Sequence, residues 1–229
     1  MRSAIIRFPG ASRERELQAA AGRLFGKAPS LVWHKDSALP ELDLILLSGG
    51  LSFGGYLRPG AIAARAPIMR EVKRQAEKGV AVIGICNGFQ ILTEAGLLPG
   101  ALLRNQNLKF VCRDVHLRVE TDQAPFLHRY RKGDELRMPV AHYDGNYFAE
   151  EALLKQLEDQ DRVAFRYAAG PDGNRASANP NGSARDIAGI LSENRRVLGM
   201  MAHPEAATEP FHGSTDGCGL FRAMAEALS

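Results

Sequence analysis

The chain has 229 residues, 45% hydrophobic and 24% charged, enough for one large α/β domain whose core needs no covalent staples. Its net charge of +3, with no dense Lys/Arg block, excludes the usual signature of a nucleic-acid binder. Three widely spaced cysteines, Cys86, Cys112 and Cys218, make no disulfide framework and fit a reducing, cytoplasmic setting; the N-terminal apolar run is too short for a signal peptide, and nothing reaches the roughly 18 apolar residues of a membrane span.

In chain order, residues 4–8 read as a strand stopped by Pro9-Gly10. Residues 13–25 read as a helix with Ser12 as its N-cap and Gly26 as its stop. Strands are expected at 31–34 and 42–47, the second almost continuously apolar, as parallel strands covered on both faces tend to be. It runs into a glycine-rich loop at 48–55. Residues 59–78 look helical, with Pro67 placed to kink that helix or to start a second one. The run 80–85 is a buried strand, followed at once by a helix through Phe89 and Leu92. This β-α-β-β-α-β-α order predicts an α/β fold, a mostly parallel sheet flanked by helices on both faces. Ligands of such sheets sit outside the carboxyl ends of the strands, where the 48–55 loop and Cys86 both fall.

Beyond Pro99 the pattern weakens. Strands are expected at 114–120, 135–142 and 162–168, with a helix at 149–157 between the last two. Residues 170–183 form a polar turn region. Strands 187–191 and 197–201 form a hairpin, and a helix covers 220–228. No stretch has linker composition, so residues 1–229 are read as one domain.

The chemistry gathers around Cys86. A nucleophile between strand and helix, with Gly84 and Gly88 two residues away on either side, is the pattern of a nucleophile elbow. The helix N-terminus then aims free N–H groups at the site and favours a thiolate and an oxyanion. A thiol nucleophile needs a base, and the base an orienter. His203 and Glu205 fit, because in an extended segment residues i and i+2 share a face. For the oxyanion hole, the Asn87 N–H is the default donor of an elbow, and Gly50 in the glycine loop is the favoured second donor. Gln90, one turn after Cys86, is placed near the site. His142 and Asp144 belong either to a lid or partner interface or to turn hydrogen bonding at a strand end. Cys112 and Cys218 read as packing residues, and Cys112 with His116 is too few ligands for zinc. These features alone fit a transferase, a thiol hydrolase or a binding module retaining the fold.

GICNGFQ at 84–90, followed by LTEAGLLPGAL, resembles the elbow of the class I, triad-type glutamine amidotransferases, with their flavodoxin-like sheet. Asn87 and Phe89 resemble the branch of glutaminase subunits of phosphoribosylformylglycinamidine synthase. SGGLSFGGYLRPGAIA, FVCR, PVAHYDG, NPNGS, DIAGI, VLGMMAHPE and GSTDG are similar to that branch's segments in the same order. The resemblance implies that Cys86 attacks the side-chain amide of glutamine, that His203 and Glu205 complete a triad, and that Gln90 contacts the substrate. It implies no cofactor and no metal in this chain. ATP and Mg²⁺ would belong to a large synthetase subunit that uses the ammonia to make formylglycinamidine ribonucleotide, with a small third subunit helping assembly. The chain departs from the family at Phe53 and Gly55, where Tyr and Asp are commoner, at Ala202 and Ala206 beside the His-Pro-Glu, and at Asp144, where Glu is commoner.

Overall fold

The computed structural model describes residues 1–171, 173 and 178–228; within the polar stretch 170–183, residues 172 and 174–177 lie outside that description. The first strands are β1 (Ser3–Arg7), β2 (Ser30–Trp33), β3 (Leu44–Leu47) and β4 (Ala81–Ile85), with helices α1 (Glu14–Phe25), α2 (Pro67–Glu77) and α3 (Asn87–Glu94) between and after them. Then follow β5 (Ala101–Leu103), β6 (Val111–Val119), β7 (Glu135–His142), β8 (Asn146–Phe148), α4 (Glu151–Asp159), β9 (Val163–Ala168), β10 (Ile187–Leu191), β11 (Val197–Met200) and α5 (Cys218–Ala227).

Among the described residues, nine strands form one sheet in the order β2-β1-β3-β4-β11-β10-β9-β6-β7, and β5 pairs with β8 in a separate ribbon. The sheet is mixed. From β2 to β11 all pairings are parallel, and from β11 outward to β7 all are antiparallel. Burial follows pairing. Every residue of β3, β4 and β11 is buried, whereas β7 alternates between buried and less buried positions. Strands with both faces covered can be apolar throughout, and a strand with one wet face must alternate.

Several local expectations change. Ser12 is not an N-cap: Arg13 holds that position without a side-chain cap, and the Ser12 N–H donates to Gly49 O at 3.3 Å instead. The glycine loop takes up the backbone that would have capped the helix. The 59–78 segment is a short 3₁₀ turn at Ala63–Arg65 followed by α2. Pro67 opens α2 because its missing N–H is not needed in a first turn. The β5–β8 ribbon has no signal in the sequence reading, since three-residue strands carry no measurable periodicity.

The fold aims its parallel half at one point. α3 lies across β3, β4 and β11, and it sits unusually close to them. A Cβ on Gly88 would stand 2.2 Å from Leu47 O, and one on Gly84 would stand 2.5 Å from the Gly88 carbonyl carbon. No side chain fits at either position, so the turn between β4 and α3 is as tight as the elbow pattern demands.

Candidate active site

Cys86 sits at that turn with φ 52° and ψ −104°. A β-carbon-bearing residue in the left-handed half of the map stores about 1–3 kcal/mol of strain. The strain is tolerated because Cys86 N–H donates to Met200 O at 2.8 Å and Cys86 O accepts from Gln90 N–H at 3.2 Å, so both neighbours hold it. The thiol is buried, and Sγ lies 3.6 Å from Ala141 O, its hydrogen-bond acceptor.

His203 follows β11, the strand beside β4, so base and nucleophile leave adjacent parallel strands at the same end. Its Nδ1–H donates to Glu205 Oε1 at 2.7 Å. The route differs from the expected one: Pro204–Ala206 is a 3₁₀ turn, not extended chain. The turn folds Glu205 back under the ring. Both residues are almost fully buried, and His203 Nε2 and Glu205 Oε2 have no hydrogen-bond partner. Burial by itself disfavours a charged ring. The Glu205 carboxylate outweighs it, helped by the Cys86 sulfur, and raises the imidazole pKa above its ordinary value. Cys86 and His203 therefore lie close enough to influence one another, although the thiol's hydrogen bond goes to Ala141 and the ring's free nitrogen remains open.

Gly50, with φ 139°, faces the same cleft. The N–H groups that follow it are engaged: Leu51 to Gly10 O at 2.9 Å, Phe53 to Pro9 O at 2.7 Å and Gly54 to Leu51 O at 2.9 Å. The Gly50 N–H makes no hydrogen bond among the described residues. Asn87 opens α3, where a backbone N–H has no intrahelical acceptor. Gly50 thus shares the cleft with Cys86 and Asn87 follows Cys86 in the chain, each with a backbone N–H that no described residue takes up.

The cleft measures about 390 Å³ and is lined by Gly50, Cys86, Gln90, His142, Asp144 and His203, among others. The structure therefore brings together all of the expected site residues except Asn87 and Glu205, which lie directly behind this lining. Gln90 stands one turn past Cys86, but its amide is occupied: Oε1 accepts from Asn87 Nδ2 at 2.8 Å and Nε2 donates to Asp144 O at 2.7 Å.

The far wall is the segment after β7. His142 is buried and neutral, its pKa lowered to about 4 by burial first and by the charge on His203 second. Its tautomer can be assigned. Asn105 Nδ2 donates to the carbonyls of Lys109 (2.8 Å) and His142 (2.9 Å), so Asn105 Oδ1 must face His142 Nδ1 (3.1 Å) as an acceptor. The proton is on Nδ1, and the unpartnered Nε2 carries a lone pair. Asp144 Oδ1 pairs with Arg104 Nε at 3.1 Å. Burial pushes the Asp144 carboxyl up, and Arg104 partly offsets the shift. Asn105, Arg104 and Ala141 are not flagged in the sequence reading; an asparagine that organises residues almost forty positions away leaves no local pattern. Tyr143 and Phe110 stand exposed at the rim, ring centroids 5.1 Å apart.

A strained thiol at an elbow, a paired His and Glu on the neighbouring strand end, and a mixed α/β sheet are the attributes of the amidotransferase class of fold. A family model described as a CobB/CobQ-like glutamine amidotransferase domain matches residues 1–217. The phosphoribosylformylglycinamidine synthase subunit PurQ of Rhodospirillum rubrum is 59% identical over 230 residues, covering 100% of each chain. The same-named subunit of Rhizobium meliloti is 51% identical over 229 residues, again covering 100% of each. A chain in the solved structure of PurLQS from Thermotoga maritima superposes with a TM-score of 0.88 at 39% identity, covering 100% of this chain and 99% of that one. A further glutamine amidotransferase from Thermotoga maritima shares the fold at 15% identity, with a TM-score of 0.64 and coverage of 100% and 97%. The chain belongs to the glutamine amidotransferase family and, within it, to the family of phosphoribosylformylglycinamidine synthase PurQ subunits.

Proposed function

We propose that this chain is the glutaminase of a phosphoribosylformylglycinamidine synthase and that it works through Cys86, His203 and Glu205. The carrying observation is the strained Cys86 sharing one cleft with a His203 whose other nitrogen is already bonded to Glu205. Cys86 first passes its thiol proton to the open Nε2 of His203. The thiolate then attacks the side-chain amide carbon of glutamine, and the C–S bond forms as the carbonyl π bond opens and its oxygen takes the negative charge. The N–H groups of Gly50 and Asn87 receive that oxyanion. His203, whose raised pKa lets it hold a proton, gives that proton to the nitrogen as the C–N bond breaks, and ammonia leaves. His203 then takes a proton from water, which attacks the glutamyl thioester and releases glutamate and the thiol. Glu205 keeps the ring in its tautomer and stabilises its charged form.

Gln90 forms the floor along which the glutamine side chain lies, and His142 and Asp144 form the wall that a partner would cover at Tyr143 and Phe110. The partner is a large ATP-using synthetase, with a small subunit assisting assembly. ATP and Mg²⁺ act there, and this chain contributes neither a cofactor nor a metal. We assign it no nucleic-acid or membrane partner; its net charge is a mild +3, and no described helix is long and apolar enough to cross a membrane. We place it in the cytoplasm and treat residues 1–229 as one glutaminase domain.

The test is a comparison of nitrogen sources. In the assembled complex, Cys86→Ala should abolish synthesis from glutamine and spare synthesis from an ammonium salt. Persistence of glutamine-dependent synthesis would show the assigned role to be wrong.

A further inference from the structure

Asn87 and Gln90 carry buried side chains that the triad does not use, and their hydrogen bonds run in a line. Asn87 Oδ1 accepts from the Ser52 N–H at 3.1 Å. Asn87 Nδ2 donates to Gln90 Oε1 at 2.8 Å, and Gln90 Nε2 donates to the carbonyl of Asp144 at 2.7 Å. The line joins the glycine loop, the elbow helix and the far wall of the cleft. Its polarity is fixed from both ends. A backbone N–H can only donate and a backbone carbonyl can only accept, so each amide has one orientation that satisfies its neighbours. Asn87 and Gln90 are 1% and 5% exposed, which makes a flipped amide costly.

The loop needs this connection. Phe53, Gly54 and Gly55 all have φ between 52° and 69°, and Gly50 has φ 139°, so the loop has no regular ladder of its own. Its bonds to Pro9 and Gly10 fix it to the first turn of the chain, not to the nucleophile. Among the described residues, no backbone hydrogen bond joins loop residues 49–54 to α3 or to residues 142–145. Among the described residues, the Ser52–Asn87 bond is the hydrogen bond that ties this loop, two residues past Gly50, to the elbow helix.

We propose that Asn87 is a positioning residue. Its side-chain amide clamps the glycine loop to the elbow so that the N–H groups of Gly50 and of Asn87 itself converge on one point above Cys86 Sγ, and Gln90 holds that amide in register. The clamp acts on the oxyanion step, because a misplaced donor fails when charge develops on oxygen and matters little to glutamine binding. The inference rests on the glutaminase reading.

The test uses the full complex. Asn87→Ala should lower the glutamine-dependent kcat between about tenfold and a hundredfold, with KM within about threefold and ammonia-dependent synthesis unchanged. Alkylation of Cys86 by iodoacetamide should stay within about threefold of the parent. That reaction forms a C–S bond and expels iodide from a saturated carbon, so it has no oxyanion to stabilise. Gln90→Ala should lower kcat in the same direction by less. The double variant should fall short of the product of the two single effects, because Gln90 touches the substrate as well but shares one line of bonds with Asn87. A kcat within twofold of the parent, a parallel fall in alkylation, or multiplying effects would each overturn the proposal. If Asn87→Ala does not co-elute with the synthetase, Asn87→Ser, whose shorter side chain leaves the Ser52 N–H unpaired, decides by the same split between kcat and alkylation. Cys86→Ala separates the two failures: retained glutamine use sinks the glutaminase reading, whereas lost use beside an unchanged Asn87→Ala sinks the clamp alone.

Discussion

The two halves of the sheet contribute to the cleft in different ways. The parallel half, β2 to β11, delivers Cys86, His203 and the glycine loop from the carboxyl ends of three neighbouring strands. Cys86 and His203 are placed by local rules, a strand end and a tight turn, whereas the glycine loop is held besides by bonds to Pro9, Gly10 and the Asn87 side chain. The antiparallel half delivers the opposing wall at 141–145, placed by long-range bonds through Asn105, Gln90 and Asn181, whose Nδ2 donates to Gly145 O at 2.8 Å. The covalent machinery therefore sits where the backbone leaves little choice, and the wall sits where side-chain amides decide the geometry.

That contrast can be broken most severely at the elbow. Gly88→Ala puts a methyl group 2.2 Å from Leu47 O, where backbone must move. We expect a loss of about 3 kcal/mol or more of stability, seen as a large drop in urea midpoint or as insoluble protein; a soluble variant with an unchanged midpoint would refute the tight elbow.

Glu205→Gln should leave the fold assembled and lower kcat roughly 10²–10⁴-fold, by removing the charge that orients and stabilises the imidazolium. It also has a pH signature. A raised folded pKa means that the stabilising contribution of His203 is complete below the unfolded value of about 6.5 and disappears as pH rises through the raised value. The variant should therefore lose more stability relative to the parent at pH 6 than at pH 10. Equal losses at both would contradict the charge assignment.

The far wall predicts the opposite limb. His142 titrates near 4 in the folded chain, so its contribution is complete above the unfolded value of about 6.5 and is lost as pH falls toward 4, by about 3 kcal/mol. His142→Gln should flatten the acid limb of stability, measured by urea titration at pH 7.5, 6 and 5. A limb as steep as the parent's would assign acid sensitivity elsewhere. The smallest effect belongs to Cys112→Ser. Cys112 is exposed on β6, and activity should stay within twofold with stability within about 0.5 kcal/mol.

The same contrast governs what was legible in the sequence. The elbow declares itself because Gly84, Cys86 and Gly88 are adjacent, and their spacing is the physical requirement of the turn. His203 and Glu205 are legible as a pair, but for a reason that the structure replaces: a 3₁₀ turn, rather than an extended segment, brings their side chains together. Ser12 looks like a cap because capping is a local preference, and the tertiary bond to Gly49 overrides it. The β5–β8 ribbon and the Asn105 hub stay hidden because three-residue strands and contacts spanning about forty residues leave no periodic trace. The antiparallel strands β6 and β7 are legible as strands, β6 from its alternation over 114–120, although β6 begins at Val111, three residues earlier than its pattern suggests.

The central claim is that the thiol at the elbow, and not another cysteine, forms the bond to glutamine. Treating the complex and its ligands with a glutamine-mimicking electrophile, followed by peptide mass mapping, tests it directly. The expected outcome is an adduct on the peptide containing Cys86, formed faster than any at Cys112 or Cys218 and suppressed by excess glutamine. No adduct on Cys86, or an adduct that glutamine does not protect against, would contradict it.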